Sequence, residues 1–295
     1  MTPSRARATP FSARERRTGY LLAAPAAVLL VGVAVFPILF AAWLSLHRLI
    51  LVLGERRLVG FGNYRYLLHD QRFWTALGNT TYFAVVSVTA ELVLGLAIAR
   101  LLASTAPGQR LLRAAILVPW AIPAAVSGKI WAWLFNPEYG LFTRLLPGSI
   151  NWLGTPGYAM PAAIVVDVWK TTPFVTLLIF AALRNIPEDL YRAAELDGAS
   201  AWRIFRSITV PLLRPTLAVV LVLRTLDAFR VFDAIYVLTA GGPANTTETL
   251  AIYTYKTLMD AGNFGYGSTL AIATFLCVLA ISVVYLRVLG LEGRA

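Results

Sequence analysis

Charge is in short supply in this 295-residue chain: 14% of its residues are charged, against roughly 25% in an average soluble domain. Cysteine is nearly absent, with Cys277 alone in an apolar run; this excludes a disulfide-stapled secreted scaffold and leaves Cys277 as core. Histidine occurs only as His47 and His69, too few and too far apart to suggest a metal centre. No Gly-rich phosphate-binding loop is present, so no nucleotide site is expected on this chain. Neither a metal constellation nor a Ser/His/Asp set marks it as an enzyme. Acid is the scarcer sign, with 15 Asp and Glu against 26 Lys and Arg, a net charge of +11. A disordered chain would be richer in charge and poorer in apolar residues than this one, which is 58% hydrophobic.

What is present is hydrophobic length. Six runs reach the roughly 20 residues that cross a hydrocarbon core of about 30 Å. They lie at about 19–46, 73–103, 110–135, 158–183, 215–240 and 267–289. Backbone groups left unpaired in lipid are prohibitive, so isolated runs of this kind must be helices. The first is longer than the apolar stretch of a signal peptide and is interrupted by Pro25 and Pro37, and reads as a retained span. The expectation is an all-α polytopic membrane protein: a basic tail at 1–18, a six-helix domain at 19–290 and a short tail at 291–295.

In a soluble protein, +11 would suggest a polyanion partner. Here the arginines cluster between the apolar runs and read as topology signals, so no nucleic acid is expected. One set of loops and tails carries 15 basic residues and the other 7. The richer side is cytoplasmic by the positive-inside rule, which places both termini inside. Arg48, Arg56, Arg57, Arg65 and Arg72 crowd the first external loop and go against the rule.

The loop at 184–215 differs from the rest, being polar and helix-forming. Pro187 opens a helix with Glu188 and Asp189 in its first turn, where the helix dipole favours acids. Gly198 ends it. A second helix is expected at about 199–209, with Trp202, Phe205 and Ile208 on one face, stopped by Pro211 and Pro215 before the fifth span. Two short amphipathic helices on the cytoplasmic side suit docking to a soluble partner.

This loop resembles the conserved cytoplasmic loop of ABC-importer permeases. That family's pattern is Glu-Ala-Ala, three residues, Gly, nine residues, Ile, any residue, Leu-Pro. Here Arg192-Ala193-Ala194 precede Gly198 by three residues, and nine more lead to Ile208, Thr209, Val210 and Pro211. Arg192 stands where the pattern has Glu, and Val210 where it has Leu. Glu195, one turn on, is a candidate substitute for the missing acid. The resemblance extends to Gly60-Phe61-Gly62-Asn63-Tyr64, Phe73-Trp74, Asn79-Thr80, the segment from Tyr236 to Pro243, Asn245-Thr246-Thr247 and Phe264-Gly265-Tyr266-Gly267. These look like the first permease of the pair in the maltose, trehalose and glycerol-phosphate branch. The stretches Trp169 to Phe174 and Arg224 to Asp233 look most like trehalose- or maltose-type permeases.

The resemblance implies a bacterial cytoplasmic-membrane transporter subunit working by alternating access. Its implied partners are a second homologous permease, two ATPase subunits, an extracytoplasmic solute-binding protein and the lipid bilayer, with ATP and Mg held on the ATPases and no cofactor on this chain. The implied coupling residues are Glu188, Arg192, Ala193, Ala194, Glu195, Asp197, Gly198, Ala199, Phe205 and Pro211. A related glycerol-phosphate or polyol permease is the near alternative. An ion-gradient-driven secondary transporter is the alternative from another class, and would not need this loop.

Ionisable residues inside a span must pair or line an aqueous path. Asp167 and Lys170 lie three apart in the fourth span, and Arg224, Asp227, Arg230 and Asp233 alternate in sign every three residues in the fifth. Residues three apart on a helix can touch, so self-neutralising pairs are one reading. The other is a substrate pathway through Asp167, Trp169, Lys170, Asp227, Arg230 and Asp233, because charged groups make strong bonds to hydroxyl-rich ligands. Glu91 has no partner near it in sequence and is expected to contact another helix. Trp120, Trp131, Trp133, Trp152 and Trp169 are open to two readings, interface anchors or stacking platforms for sugar rings.

Overall fold

A computed structural model describes residues 13–103, 109–145 and 150–288. Most of the expected basic tail at 1–18 and all of the tail at 291–295 lie outside the described residues. The first span runs unbroken over Arg17–Ser45, as α1 (Ala13–Leu30), one π turn (Val31–Val35) and α2 (Phe36–Ser45). A β-hairpin follows, β1 (His47–Ile50) and β2 (Glu55–Leu58) around a 3-10 turn at Leu51–Leu53. It is the one strand element among the described residues of an otherwise helical chain. Then come α3 (Gly62–His69), α4 (Gln71–Ala103), α5 (Gln109–Ala121), α6 (Ala124–Leu134), α7 (Leu141–Leu145), α8 (Pro156–Arg184), α9 (Glu188–Leu196), α10 (Ala201–Ile204), α11 (Val210–Ala228), α12 (Asp233–Thr239), α13 (Leu250–Tyr255) and α14 (Phe264–Val288).

Among the described residues five helices are long and apolar enough to cross a membrane, and a bent pair, taken as one span, makes a sixth. That pair is α5 and α6, which meet at 98° where one straight span was expected at 110–135. Pro123 supplies the reason: it has no N–H to continue α5, and its ring clashes with the preceding turn. The fifth span is also redrawn. The helix from Ala201 continues to Ala228, straight through Pro211 and Pro215, so the expected separate helix at 199–209 is the first part of the span. A π turn at Phe205–Thr209 makes this possible, with Val210 N–H bonding to Phe205 O. The wider turn absorbs the missing N–H and the ring of Pro211. The first span uses the same device at the same offset: a π turn at Val31–Val35, Phe36 N–H on Val31 O, then Pro37. The fifth span ends early at Ala228, and residues 229–232 separate it from α12.

α4 and α8 form the centre of the bundle. Their backbones approach closely at Gly95, where an added Cβ would sit 2.6 Å from Val175 Cγ1 and 3.3 Å from the Thr176 nitrogen. Small residues permit such contact between spans. α11 packs on both, α6 packs on α12, and α2 packs on α14. One apolar cluster (Phe83, Trp131, Ala163, Ile235, Leu270) fills the half of the bundle nearer the hairpin, and a smaller one (Ala99, Val175, Ile179, Leu213, Val220) ties α4, α8 and α11 at the other end.

Candidate functional site

The turn between α9 and α10 is built on one glycine. α9 starts after Pro187 with Glu188 and Asp189 in its first turn. It ends where Gly198 adopts φ +73°, a backbone state that costs other residues about 1–2 kcal/mol. Ala199 N–H then reaches back to Ala194 O at 2.9 Å, and Ser200 Oγ accepts from Arg203 N–H to cap the next helix. Leu196, 89% exposed, and the exposed Trp202 project from the two sides of the turn. Ala193, Asp197 and Glu195 are exposed, while Ala194, Ala199, Phe205 and Pro211 are half-buried. Arg192, which replaces the family's Glu, is neutralised within its own helix by Glu188 at 3.0 Å and Asp189 at 3.9 Å. Glu195 lines a cavity of about 710 Å³ between this turn and the ends of α4 and α8, with Arg100, Arg184, Tyr191 and Phe205. The Arg100 guanidinium lies 4.5 Å from the Phe205 ring centre, so the turn is pinned to α4 by cation-π contact.

In the middle of the bundle, charges far apart in sequence meet. Arg224 is 4% exposed. Its Nε donates to Glu91 at 2.6 Å and its Nη2 to Glu91 at 3.0 Å and Asp167 at 3.3 Å. Its Nη1 donates to Asp227 at 2.5 Å. Thr171 Oγ1 adds a bond of 2.6 Å to Glu91. This cluster fastens α4, α8 and α11 together. The lone Glu91 does contact another helix, as expected, but Arg224 and Glu91 are the hub, which no three-residue spacing could reveal. The signal was an unpaired acid in one apolar span and a cation in another, since neither is tolerable alone in lipid.

The expected Asp167–Lys170 pair does not form. Lys170 Nζ instead donates to Ile122 O at 2.5 Å and faces Trp120 O at 3.5 Å. Those carbonyls end α5 at the bend, and a cation at a helix C-terminus is favourable. Asp233 does not continue the alternating series either: it opens α12 beyond the break. Asp227 is 61% exposed and bonds Arg230 at 3.8 Å as well as Arg224. The exposed charges Asp227, Arg230 and Asp233 thus flank the break in the fifth span, and Lys170 sits at the break in the third. Trp131, Trp152 and Trp169 turn inward: Trp131 packs on Trp169 at 5.5 Å and on Phe142 at 5.7 Å, and Trp152 on Phe135 at 5.9 Å. Trp120 stacks on Phe174 at 6.2 Å.

At the opposite end of the bundle, the loop after α12 is tied to α4. Buried Glu248 takes Arg72 at 2.7 and 2.8 Å and Lys256 at 3.0 Å. Asn79 Nδ2 donates to Asn245 O and Glu248 O. Burial disfavours the Glu248 carboxylate, but the bonds from Arg72 and Lys256 outweigh it and hold the group below its ordinary range. Asn63 similarly donates to Ser45 O at 2.8 Å and His47 O at 2.9 Å, which closes the loop between α2 and α4 onto the end of α2. The motif asparagines are thus backbone tethers. Arg72, Glu248 and Lys256 were not among the residues read as functional from the sequence.

With the spans, their breaks and the glycine-centred loop in place, the chain can be compared with known proteins. Residues 91–291 match the family described as binding-protein-dependent transport system inner membrane component. The chain belongs to that family. The permease is 44% identical over 279 residues to the trehalose/maltose transport system permease protein MalF of Thermococcus litoralis, covering 93% of this chain and 94% of that one. It is 42% identical over 277 residues to the trehalose transport system permease protein SugA of Mycobacterium tuberculosis, covering 94% and 90%. It is 38% identical over 280 residues to the sulfoquinovosyl glycerol transport system permease protein SmoG of Agrobacterium fabrum, covering 93% and 91%. The fold matches a chain of a bacterial ABC transporter that imports the acidic polysaccharide alginate, with a TM-score of 0.81 at 19% identity over 95% of the permease and 99% of that chain. The permease is therefore a multi-pass inner-membrane transport component, and its relatives are named as permeases, not enzymes.

Proposed function

We propose that this chain is the transmembrane permease subunit of an ATP-driven importer that brings a carbohydrate into the cell by alternating access. The substrate class is a disaccharide such as trehalose or maltose, which the two most similar relatives described above carry in their names. The observation that carries the ATP-driven part is the α9–Gly198–α10 turn, with Leu196 and Trp202 standing free. That turn docks into an ATPase subunit, which supplies ATP and Mg. A second permease completes the pathway, and an extracytoplasmic solute-binding protein delivers the sugar. Both termini are cytoplasmic, in keeping with the arginine distribution.

Within the pathway, Asp227, Arg230, Asp233 and Lys170 are the hydroxyl-binding groups, because they sit at the two breaks and have hydrogen-bonding capacity left. Glu91, Arg224 and Asp167 hold the scaffold, because they spend theirs on one another. A broken span presents backbone carbonyls as well as side chains to a solute.

The test is reconstitution with the two ATPases, the second permease and the solute-binding protein. Trehalose or maltose should accelerate ATP hydrolysis and enter vesicles only with ATP. Deleting 195–201 should abolish ATPase association while the spans still insert. Uptake that persists without ATP, or that survives the deletion, would refute the proposal.

A further inference from the structure

Three of the five outer-loop arginines that run against the positive-inside pattern, Arg48, Arg56 and Arg57, are carried by one hairpin. In its register Arg48 stands directly opposite Arg57, and Leu49 opposite Arg56. Like charges opposed across a strand pair are destabilising. Glu55 neutralises only Arg48, at 2.6 Å, and Arg56 lies over the Trp43 ring at 5.9 Å. Arg57 and Arg65 have no carboxylate within salt-bridge reach among the described residues. At the tip, Leu51, Val52 and Leu53 are all exposed, Val52 to 78%. Three consecutive free apolar side chains above a basic stem form a surface with a cost attached to both of its parts.

Its position decides what can cover it. The chain climbs beside the start of α14: Ser45 O meets Thr269 Oγ1, Ile50 bridges Asn263, and Leu51 N–H bonds Gly262 O at 2.9 Å. Counting about 20 residues back from Arg287, the length that crosses the hydrocarbon core, reaches the region of Gly267. The tip, level with Gly262 and beyond the first residue of α14, therefore stands outside the hydrocarbon core on the outer side.

We propose that the hairpin at 47–58 is a docking wedge for the extracytoplasmic solute-binding protein: its apolar tip enters a recess on that protein, and carboxylates rimming the recess settle between Arg48 and Arg57. This rests on the importer reading above. An apolar anchor ringed by charge gives affinity at the anchor and steering at the rim.

The test uses the assembled importer in nanodiscs and its purified solute-binding protein. ATP hydrolysis is titrated with the sugar-loaded binding protein for wild type, Val52→Asp and Arg57→Glu, with Arg57→Ser as a milder variant that keeps the hairpin fold. The half-saturating concentration should rise about tenfold for Val52→Asp and Arg57→Glu, and less for Arg57→Ser. An unchanged half-saturating concentration in all three, with wild type responding, overturns the wedge and leaves the importer reading intact. A wild-type complex indifferent to the binding protein overturns both. An environment-sensitive fluorophore on Val52→Cys, in a Cys277→Ser background, should shift on adding binding protein; quenching by spin-labelled lipid instead assigns the tip to the bilayer and overturns the wedge.

Discussion

Replacing Arg224 by methionine keeps most of the side-chain volume and removes the one cation that Glu91 and Asp167 share. Glu91 is fully buried and takes two of its three bonds from Arg224. Breaking a buried pair from one side costs about 3–5 kcal/mol, because the charge left behind has no water to return to. That is about 2.2 to 3.7 decades in the folded-to-unfolded ratio. Arg224→Lys should recover only part of the loss, because one ammonium cannot make the paired Nε and Nη2 bonds to Glu91. The double variant Glu91→Gln with Arg224→Met should be more stable than Arg224→Met alone, since no uncompensated carboxylate remains at that position. Thermal unfolding of the purified complex in nanodiscs, arranged as a double-mutant cycle, reads the coupling. If Arg224→Met melts with wild type, or if the two substitutions add, the cluster does not hold the three spans together and the reasoning fails.

Asp227→Ala should leave the melting temperature nearly unchanged, because Asp227 is largely exposed and such pairs contribute about 0–1 kcal/mol, yet it should lower sugar uptake at least several-fold in vesicles; unchanged uptake removes Asp227 from the pathway. Lys170→Met should expose the freed carbonyls of Trp120 and Ile122 and loosen the bend, seen as faster amide exchange at 118–126 in hydrogen–deuterium exchange. Gly198→Val should force a strained turn and weaken co-purification of the ATPase while membrane insertion stays normal. The depressed titration of Glu248 implies that its contribution is complete above the ordinary carboxylate pKa of about 4.3 and lost as pH falls through its lower folded value. Protection of the loop at 240–249 should hence be flat from neutral pH down to about 5 and fall only in stronger acid, and Glu248→Gln should be less protected than wild type at neutral pH.

The parts legible in the sequence were those written locally. Membrane-length runs gave the number of spans, and the spacing from Ala193 to Pro211 gave the loop. The parts that were hidden depend on distance or compensation. Hydropathy averages over the bend at Pro123 because both halves, α5 and α6, are apolar. Pro211 reads as a helix stop by its own chemistry, but the π turn before it carries the helix through. Arg224 lies 133 positions from Glu91, so the sequence could offer its near neighbours in the fifth span, which do pair at Asp227, but not its partner in α4. The hairpin escaped because each strand is four residues long, too short for alternation to stand out.

The ion cluster also sets a timetable for synthesis. Glu91 and Asp167 enter the membrane in α4 and α8, while Arg224 is still to be translated. At roughly 5–20 residues per second, Glu91 waits about 7–27 s for its guanidinium. Each acid costs about 2.5–3.5 kcal/mol on insertion scales during that interval, and the surrounding leucines, valines and phenylalanines must offset it. A chain arrested before residue 224 would therefore hold two uncompensated carboxylates among its spans. The quality-control proteases of the membrane would meet it as a damaged protein, although every residue made so far is correct.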